Sequence, residues 1–569
     1  MTSSSSNTPP LDVVANDSNQ PATQSAESVA AGVRESNVKI VKREYGVLTF
    51  KEWVQLVFWT GLMPIHVFFH VISTSKPAHK VAGAFKRRRA TTTIHRRRSS
   101  SVTSSHSSRN SLPRHVQDTH VTGKSWRRRA SEEIARFSTA RLPLFAPQVL
   151  LQSSQTVYER WAATRNLPTT VDILLGADEA RLLWIGPKPA CLRANVNLGS
   201  GNESVERRRT EEAARLPVIM FIHGGGFVYP MADIANTFLL YVKQELEARL
   251  GTRVGVCALA YNLIPNAAFP IPLRDACSGI RFLLESGVQP GRLQLLGESA
   301  GGTILLHVLR HLAKPHSVVG RLVLGEDNVE EQKAELAGIC VISPGLPMQA
   351  GDPFMAHDIL TRESLEAFSR LVSEGVHEMD REWVYPPEES LRDMTGRLMV
   401  TTGTGEMMHA AQERLRATLV TAPGLQLTWL RDRGPGGGFE EDTGREGRSG
   451  GATDDGQGGL HCGPVFDFPM GVLAGDMAGA GFLGKCHCGC GDHGEKNRDD
   501  EEEQSAGDDY RDEEEAVGES EERRALIHKP HQPTAIYGRK TPEHHAEISA
   551  TTTRIVRWLG DGFDTTVLA

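Results

Sequence analysis

Between residues 170 and 430 the chain alternates short apolar runs with longer stretches of helical spacing. Thr170–Leu174 and Arg181–Ile185 read as a strand pair. Pro217–Ile222, Arg253–Ala260, Arg292–Leu296, Ala337–Ile342, Arg397–Thr401 and Leu425–Leu430 are further β-branched apolar runs. Ala235–Leu250, Leu273–Ser286 and Ala300–Leu312 carry apolar positions three and four apart, as helices do. Continuous apolar strands separated by helices predict a parallel sheet covered on both faces. A last helical pattern, Ile548 to Leu559, closes the chain. The stretches 131–430, 459–475 and 541–569 together suffice for one large α/β domain.

What flanks and interrupts this pattern reads differently. Residues 1–42 are polar and expected to be disordered, with no basic-then-apolar leader. Within 43–75, Trp53–Ile72 holds fourteen large apolar residues in twenty and no formal charge. That length just matches a bilayer core of about 30 Å, although Gln55, Pro64, His66 and His70 are costly in lipid. A spanning helix, an interfacial helix and a helix packed on the protein body all fit. Hydrophobic residues are 39% of the chain, below the roughly 45–50% of compact domains. The net charge of −7 conceals two opposed tracts. Residues 76–130 hold fifteen Lys/Arg against Asp118, a net of +14, and residues 492–522 hold sixteen Asp/Glu against three basic residues, a net of −13. The first is expected to be a disordered linker: a nuclear-import or nucleic-acid patch, an anionic-lipid tract and a plain phosphorylatable linker compete, and its place beside the apolar segment favours anionic lipid. No aromatic residue interleaves from Arg87 to Lys124, which argues against nucleic acid as a partner. Gly-rich and acidic inserts at about 434–458 and 485–540 are expected to be disordered within a folded domain spanning 131–569.

Chemistry concentrates at two glycine-rich turns. Gly297-Glu298-Ser299-Ala300-Gly301 follows an apolar run and opens a helix, the context in which a serine hydroxyl projects above a sheet. Gly447-Arg448-Ser449-Gly450-Gly451 repeats the spacing inside an insert, without strand or helix, and reads as coincidence. His223-Gly224-Gly225-Gly226-Phe227 follows another strand, and its backbone amides, with that of Ala300, suit an oxyanion. No Gly-Lys-Ser/Thr follows, so a phosphate cradle is not indicated.

These two turns, together with Tyr261-Asn262-Leu263-Ile264-Pro265 and Phe269-Pro270, resemble the hormone-sensitive-lipase-like branch of α/β-hydrolases, most closely fungal members similar to steryl acetyl hydrolases. The resemblance implies an α/β-hydrolase fold: a mostly parallel twisted sheet covered by helices on both faces, with a helical cap over the site. It also implies a catalytic Ser299, a carboxylate after the strand Arg397–Thr401 and a histidine after the last strand. Glu406 stands at the first place, ahead of Asp393 and Asp432; His461, in a Gly-Leu-His turn, stands at the second, ahead of His544 and His545. Gly224, Gly225 and Ala300 become the oxyanion donors, with His223, Gly226, Tyr261, Gly297 and Gly301 supporting them. The implied activity is hydrolysis of a lipophilic carboxylic ester with a short acyl group, such as a steryl acetate, without cofactor. The implied setting is a membrane of the endoplasmic reticulum, with the cytosol as alternative. An amidase or arylformamidase on the same triad, and a catalytically silent scaffold, stay open beside it. Cys486-His487-Cys488-Gly489-Cys490 with His493 lacks the pair spacing of a zinc site, so no metal is expected. Asn16 and Asn202 head glycosylation sequons.

Overall fold

The computed structural model describes residues 44–74, 126–174, 180–192, 203–325, 335–355, 357–374, 376–384, 394–434, 439–442, 459–468 and 548–564. The polar N-terminus, most of the basic tract, the acidic insert, Ser449, the Cys486–Cys490 group, His544, His545 and the sequon asparagines Asn16 and Asn202 lie outside the described residues.

Four helices precede the sheet: α1 (Phe50–Thr74), α2 (Trp126–Arg141), α3 (Ala146–Leu151) and α4 (Ser154–Ala163). Then follow β1 (Val171–Ile173), β2 (Arg181–Trp184), α5 (Glu203–Arg215), β3 (Val218–Ile222), α6 (Asp233–Leu250), β4 (Gly255–Ala260), α7 (Ile271–Glu285), β5 (Leu293–Glu298), α8 (Ala300–Ala313) and β6 (Gly338–Ile342). After them come α9 (Arg362–Ser373), α10 (Arg381–Val384), β7 (Gly396–Gly403), α11 (His409–Leu419), β8 (Leu425–Asp432), β9 (Phe439–Asp442) and α12 (Ala550–Phe563).

The nine strands form one sheet in the order β1-β2-β4-β3-β5-β6-β7-β8-β9. Strands β3 to β8 run parallel, while β1, β2 and β9 are antiparallel at the edges. Both faces of the centre are covered, which is why β3 and β6 are buried at all five positions and read as continuous apolar runs. One core packs α7 and α8 against one face; the other packs α6 and α12 against the opposite face. The chain order reverses between β3 and β5, where parallel strands open a crevice beyond their carboxyl ends. Register places Ile222 beside Gly297, Glu298 beside Ile342, Ile342 beside Thr401 and Gly403 beside Asp432, so loops from five strands converge there.

Two sequence expectations need correction. Arg127-Arg128-Arg129 is not linker but the first turn of α2. Arg128 is buried, with Nε 3.0 Å from Glu132 Oε1, Nη2 3.2 Å from the Gly463 carbonyl and Nη1 paired to Asp467. A clustered charge reads as solvated because its buried partner lies 339 positions away. Likewise Phe439–Asp442, inside the insert expected to begin near 434, pairs with β8 as an edge strand. Its acidic residues are met by Arg433, 2.7 Å from Glu440, and Arg554, 2.6 Å from Glu441.

Candidate active site

Ser299 stands at the tight turn from β5 into α8 with φ 49° and ψ −118°, a strained conformation for a residue bearing Cβ. The turn fits only because Gly301 has no side chain: a Cβ there would lie 2.0 Å from the Ile222 carbonyl oxygen. Ser299 Oγ lies 2.8 Å from His461 Nε2, and His461 Nδ1 lies 3.1 Å from Glu406 Oε2. The sequence separations are 162 and 55 residues, and both His461 and Glu406 are buried. The hydroxyl therefore donates to Nε2 while Nδ1–H donates to the carboxylate, the tautomer a serine base requires.

Glu406 is held by more than the imidazole. Ser343 Oγ donates to its Oε1 at 2.5 Å, Gln412 Nε2 to its Oε2 at 2.8 Å, and the Gly403 amide also donates to it. Burial pushes this carboxyl up, but the bond to His461, its charge, Ser343 and Gln412 outweigh burial and leave it below the ordinary glutamate range. Burial pulls His461 down, yet Glu406 and then Asp358 and Glu298 outweigh it, so the imidazole lies above its ordinary value.

Sequence reasoning missed Asp358. Its Oδ1 accepts from the His461 amide at 3.0 Å and its Oδ2 from the Met407 amide at 2.8 Å. One buried carboxylate thus ties the loop carrying His461 to the loop carrying Glu406. Burial raises its pKa to about 6 against the opposing pull of His461. Nothing in the spacing of His357-Asp358-Ile359 marks this role. Ser343 was more accessible to reasoning, since it directly follows β6 at the same sheet edge.

The glycine turn after β3 is braced from behind. His223 stacks on Tyr261 at 4.5 Å, and Tyr261 Oη donates to the His223 and Gly224 carbonyls at 3.2 and 3.4 Å. His223 Nδ1 faces the Gly224 carbonyl at 2.8 Å and so carries the proton, leaving Nε2 to accept from Ser154 Oγ at 3.3 Å. Burial lowers the His223 pKa to about 4, keeping the ring neutral. The Gly224 amide donates to Glu298 Oε1 at 3.3 Å, so that amide is already engaged, in contrast to the expectation that it faces an oxyanion. Gly224, Gly225 (at φ +100°), Gly226 and Ala300 all line the cavity.

Above these groups opens a cavity of about 820 Å³. Its walls are apolar, with Leu142 from the α2–α3 corner, Phe227, Ile359, Phe368 from α9 and Val465. Helices α2, α3 and α9 form the cap, and Ser299 and His461 lie in the cavity wall beneath it. Gln148 of α3 donates to the Val228 and Ile264 carbonyls at 2.9 and 2.7 Å, joining the cap to both motif loops.

Residues 219–436 match the family described as alpha/beta hydrolase fold. With the glycine turn after β3 and the serine turn after β5, this region has the α/β-hydrolase fold. The chain is 35% identical over 97 residues to Esterase LipI of Mycobacterium tuberculosis, covering 16% of this chain and 28% of that protein. It is 27% identical over 133 residues to Kynurenine formamidase of Scheffersomyces stipitis (23% and 49%) and 32% identical over 96 residues to Acetyl-hydrolase of Streptomyces hygroscopicus (16% and 29%). In each case less than half of the relative's own length is spanned. Among solved structures, a fungal esterase from Rhizomucor miehei matches over 53% of this chain and 86% of its own at 16% identity and a TM-score of 0.36.

Proposed function

We propose that the protein is a serine carboxylic-ester hydrolase acting on a lipophilic ester with a short acyl group. The observation that carries this is the Ser299–His461–Glu406 relay, 2.8 and 3.1 Å long, set in the wall of an apolar cavity. His461 takes the proton of Ser299 as the hydroxyl attacks the ester carbonyl, and Glu406 holds the imidazolium that forms. The amides of Gly225 and Ala300, with Gly226 between the same loop and the cavity, receive the oxyanion. Collapse transfers the proton from His461 to the departing alcohol. Water, deprotonated by the same imidazole, then frees the acyl group and restores Ser299.

The cavity walls suit a bulky hydrocarbon alcohol, and the likeness to fungal steryl acetyl hydrolases supports a steryl acetate as its type. Work at a membrane, through residues 53–72 and the part of the basic tract ahead of α2, 76–125, belongs to the same reading, with the endoplasmic reticulum as its place. The relative named Kynurenine formamidase favours a second reading, an amidase on the same triad; comparing turnover of an acetate ester with that of the matching anilide separates them. A fluorophosphonate probe tests the nucleophile: labelling is expected to vanish in Ser299→Ala and persist in Ser449→Ala. Equal labelling of both variants would refute the assignment.

A further inference from the structure

Helix α1 is long and apolar enough to cross a bilayer by length and composition, yet the protein body contacts it ahead of its start, at its middle and near its far end. Ahead of it, the Gly46 amide donates to Gln148 Oε1 at 3.1 Å and Tyr45 Oη to the Gln152 carbonyl at 2.7 Å. Near its far end, His66 and His70 reach Glu133 of α2 at 2.8 and 3.3 Å. Between those points Leu56 and Val67 are buried, and Trp59 packs edge-on against Phe137 at 6.0 Å. The supporting helix α2 has seven charged residues in sixteen, and a bilayer core would not admit it. The outer face of α1 is the reverse. Val54, Val57, Phe58, Ile65, Phe68 and Phe69 are 54–68% exposed along a helix of 25 residues, about 37 Å long. A monomer in water seldom leaves so long an apolar stripe uncovered.

We infer that α1 lies flat in the headgroup region of an anionic membrane, its outer stripe in the lipid and its inner face on the cap, so that the chain sits on one leaflet and does not cross it. Charge selects the occupant. Residues 76–125, directly following α1, carry twelve Lys/Arg against Asp118, a net of +11, which an acidic lipid surface attracts and a second copy of the same tract repels. Position adds a purpose: Met63 of α1 lines the catalytic cavity, so the helix that meets the lipid also walls the chamber above Ser299. A lipophilic ester would then pass from the leaflet to the serine without entering water. That route rests on the esterase reading; the attachment does not.

The full chain, tagged at both termini and expressed in cells, is tested in sealed microsomes by protease protection. Both tags are expected on the same side; tags on opposite sides would overturn the inference. The purified chain is then floated with vesicles of phosphatidylcholine alone or mixed with phosphatidylserine. Binding is expected to be about ten-fold tighter to the mixed vesicles and to fall about ten-fold in Phe58→Glu/Phe68→Glu. Fluorophosphonate labelling of Ser299 and the melting temperature should be unchanged in that variant, showing that the body is intact. Failure of the folded wild type to bind either vesicle, or a dimer in sedimentation that the same variant disperses, would overturn it. Loss of ester turnover with vesicle binding retained would refute only the esterase reading.

Discussion

Asp358 organises the site while touching neither Ser299 nor the imidazole ring. Its two oxygens hold the amides of His461 and Met407, so its influence travels through backbone position. In Asp358→Asn one oxygen survives and the other becomes an N–H donor facing a donor. Losing such a bond typically costs about 1–3 kcal/mol, so kcat is expected to fall roughly five- to hundred-fold with KM nearly constant. The pH profile supplies a second readout. In the proposed mechanism His461 acts as a base only when neutral, and its raised pKa places the expected loss of activity, as pH falls, above the ordinary imidazole value of 6.5. Asp358 is one of the charges that raise it. The acid limb of kcat/KM should therefore move to lower pH in the variant; an unmoved limb with unchanged kcat would show that Asp358 only braces the loop. At this scale the serine and the glycine turn were legible because tight turns impose a local pattern. Asp358 was not, since backbone hydrogen bonds made across 49 and 103 residues leave no spacing to read.

Among the elements, α2 shows how a charge run can mislead. Arg128 bonds Glu132 in its own helix, Gly463 and Asp467 in the histidine loop, and Asp467 in turn accepts from the Ser549 amide at 2.9 Å and from Thr552 at the start of α12. Arg128→Met would leave the Asp467 carboxylate buried without its cation. Breaking a buried pair in this way costs about 3–5 kcal/mol, so a clear drop in melting temperature is expected by calorimetry. Arg127→Met, one position away, serves as the comparison and should change less, because Arg127 is only half-buried and lies over the exposed Trp126 ring at 5.6 Å, and surface charges contribute at most about 1 kcal/mol. The central strands were legible to within two residues at either end, since burial on both faces writes itself as an unbroken apolar run. Strand β9 was not: an exposed edge of Phe-Glu-Glu-Asp needs no alternation and is specified by its arginine partners.

For the molecule as a whole, what the apolar pattern could not reveal is which surface each apolar stretch would meet. Composition treats Trp53–Ile72 as one lipid-compatible run, whereas the fold divides it into a face on the cap and a face turned outward. The C-terminal helix makes the complementary point. Ile555, Trp558 and Leu559 are almost wholly buried against α6 and β6, and Arg397 lies 3.6 Å from the Trp558 ring. A helix returning from so far along the chain is held by packing, and its covalent tether contributes little to its place. A backbone cut introduced between 469 and 547 should thus leave two pieces that co-elute under native conditions and still react with a serine probe, parting only in denaturant. Such a hydrolase would tolerate nicking where most enzymes are inactivated, and its two halves, produced separately, could be reassembled as a reporter that stays silent until they meet.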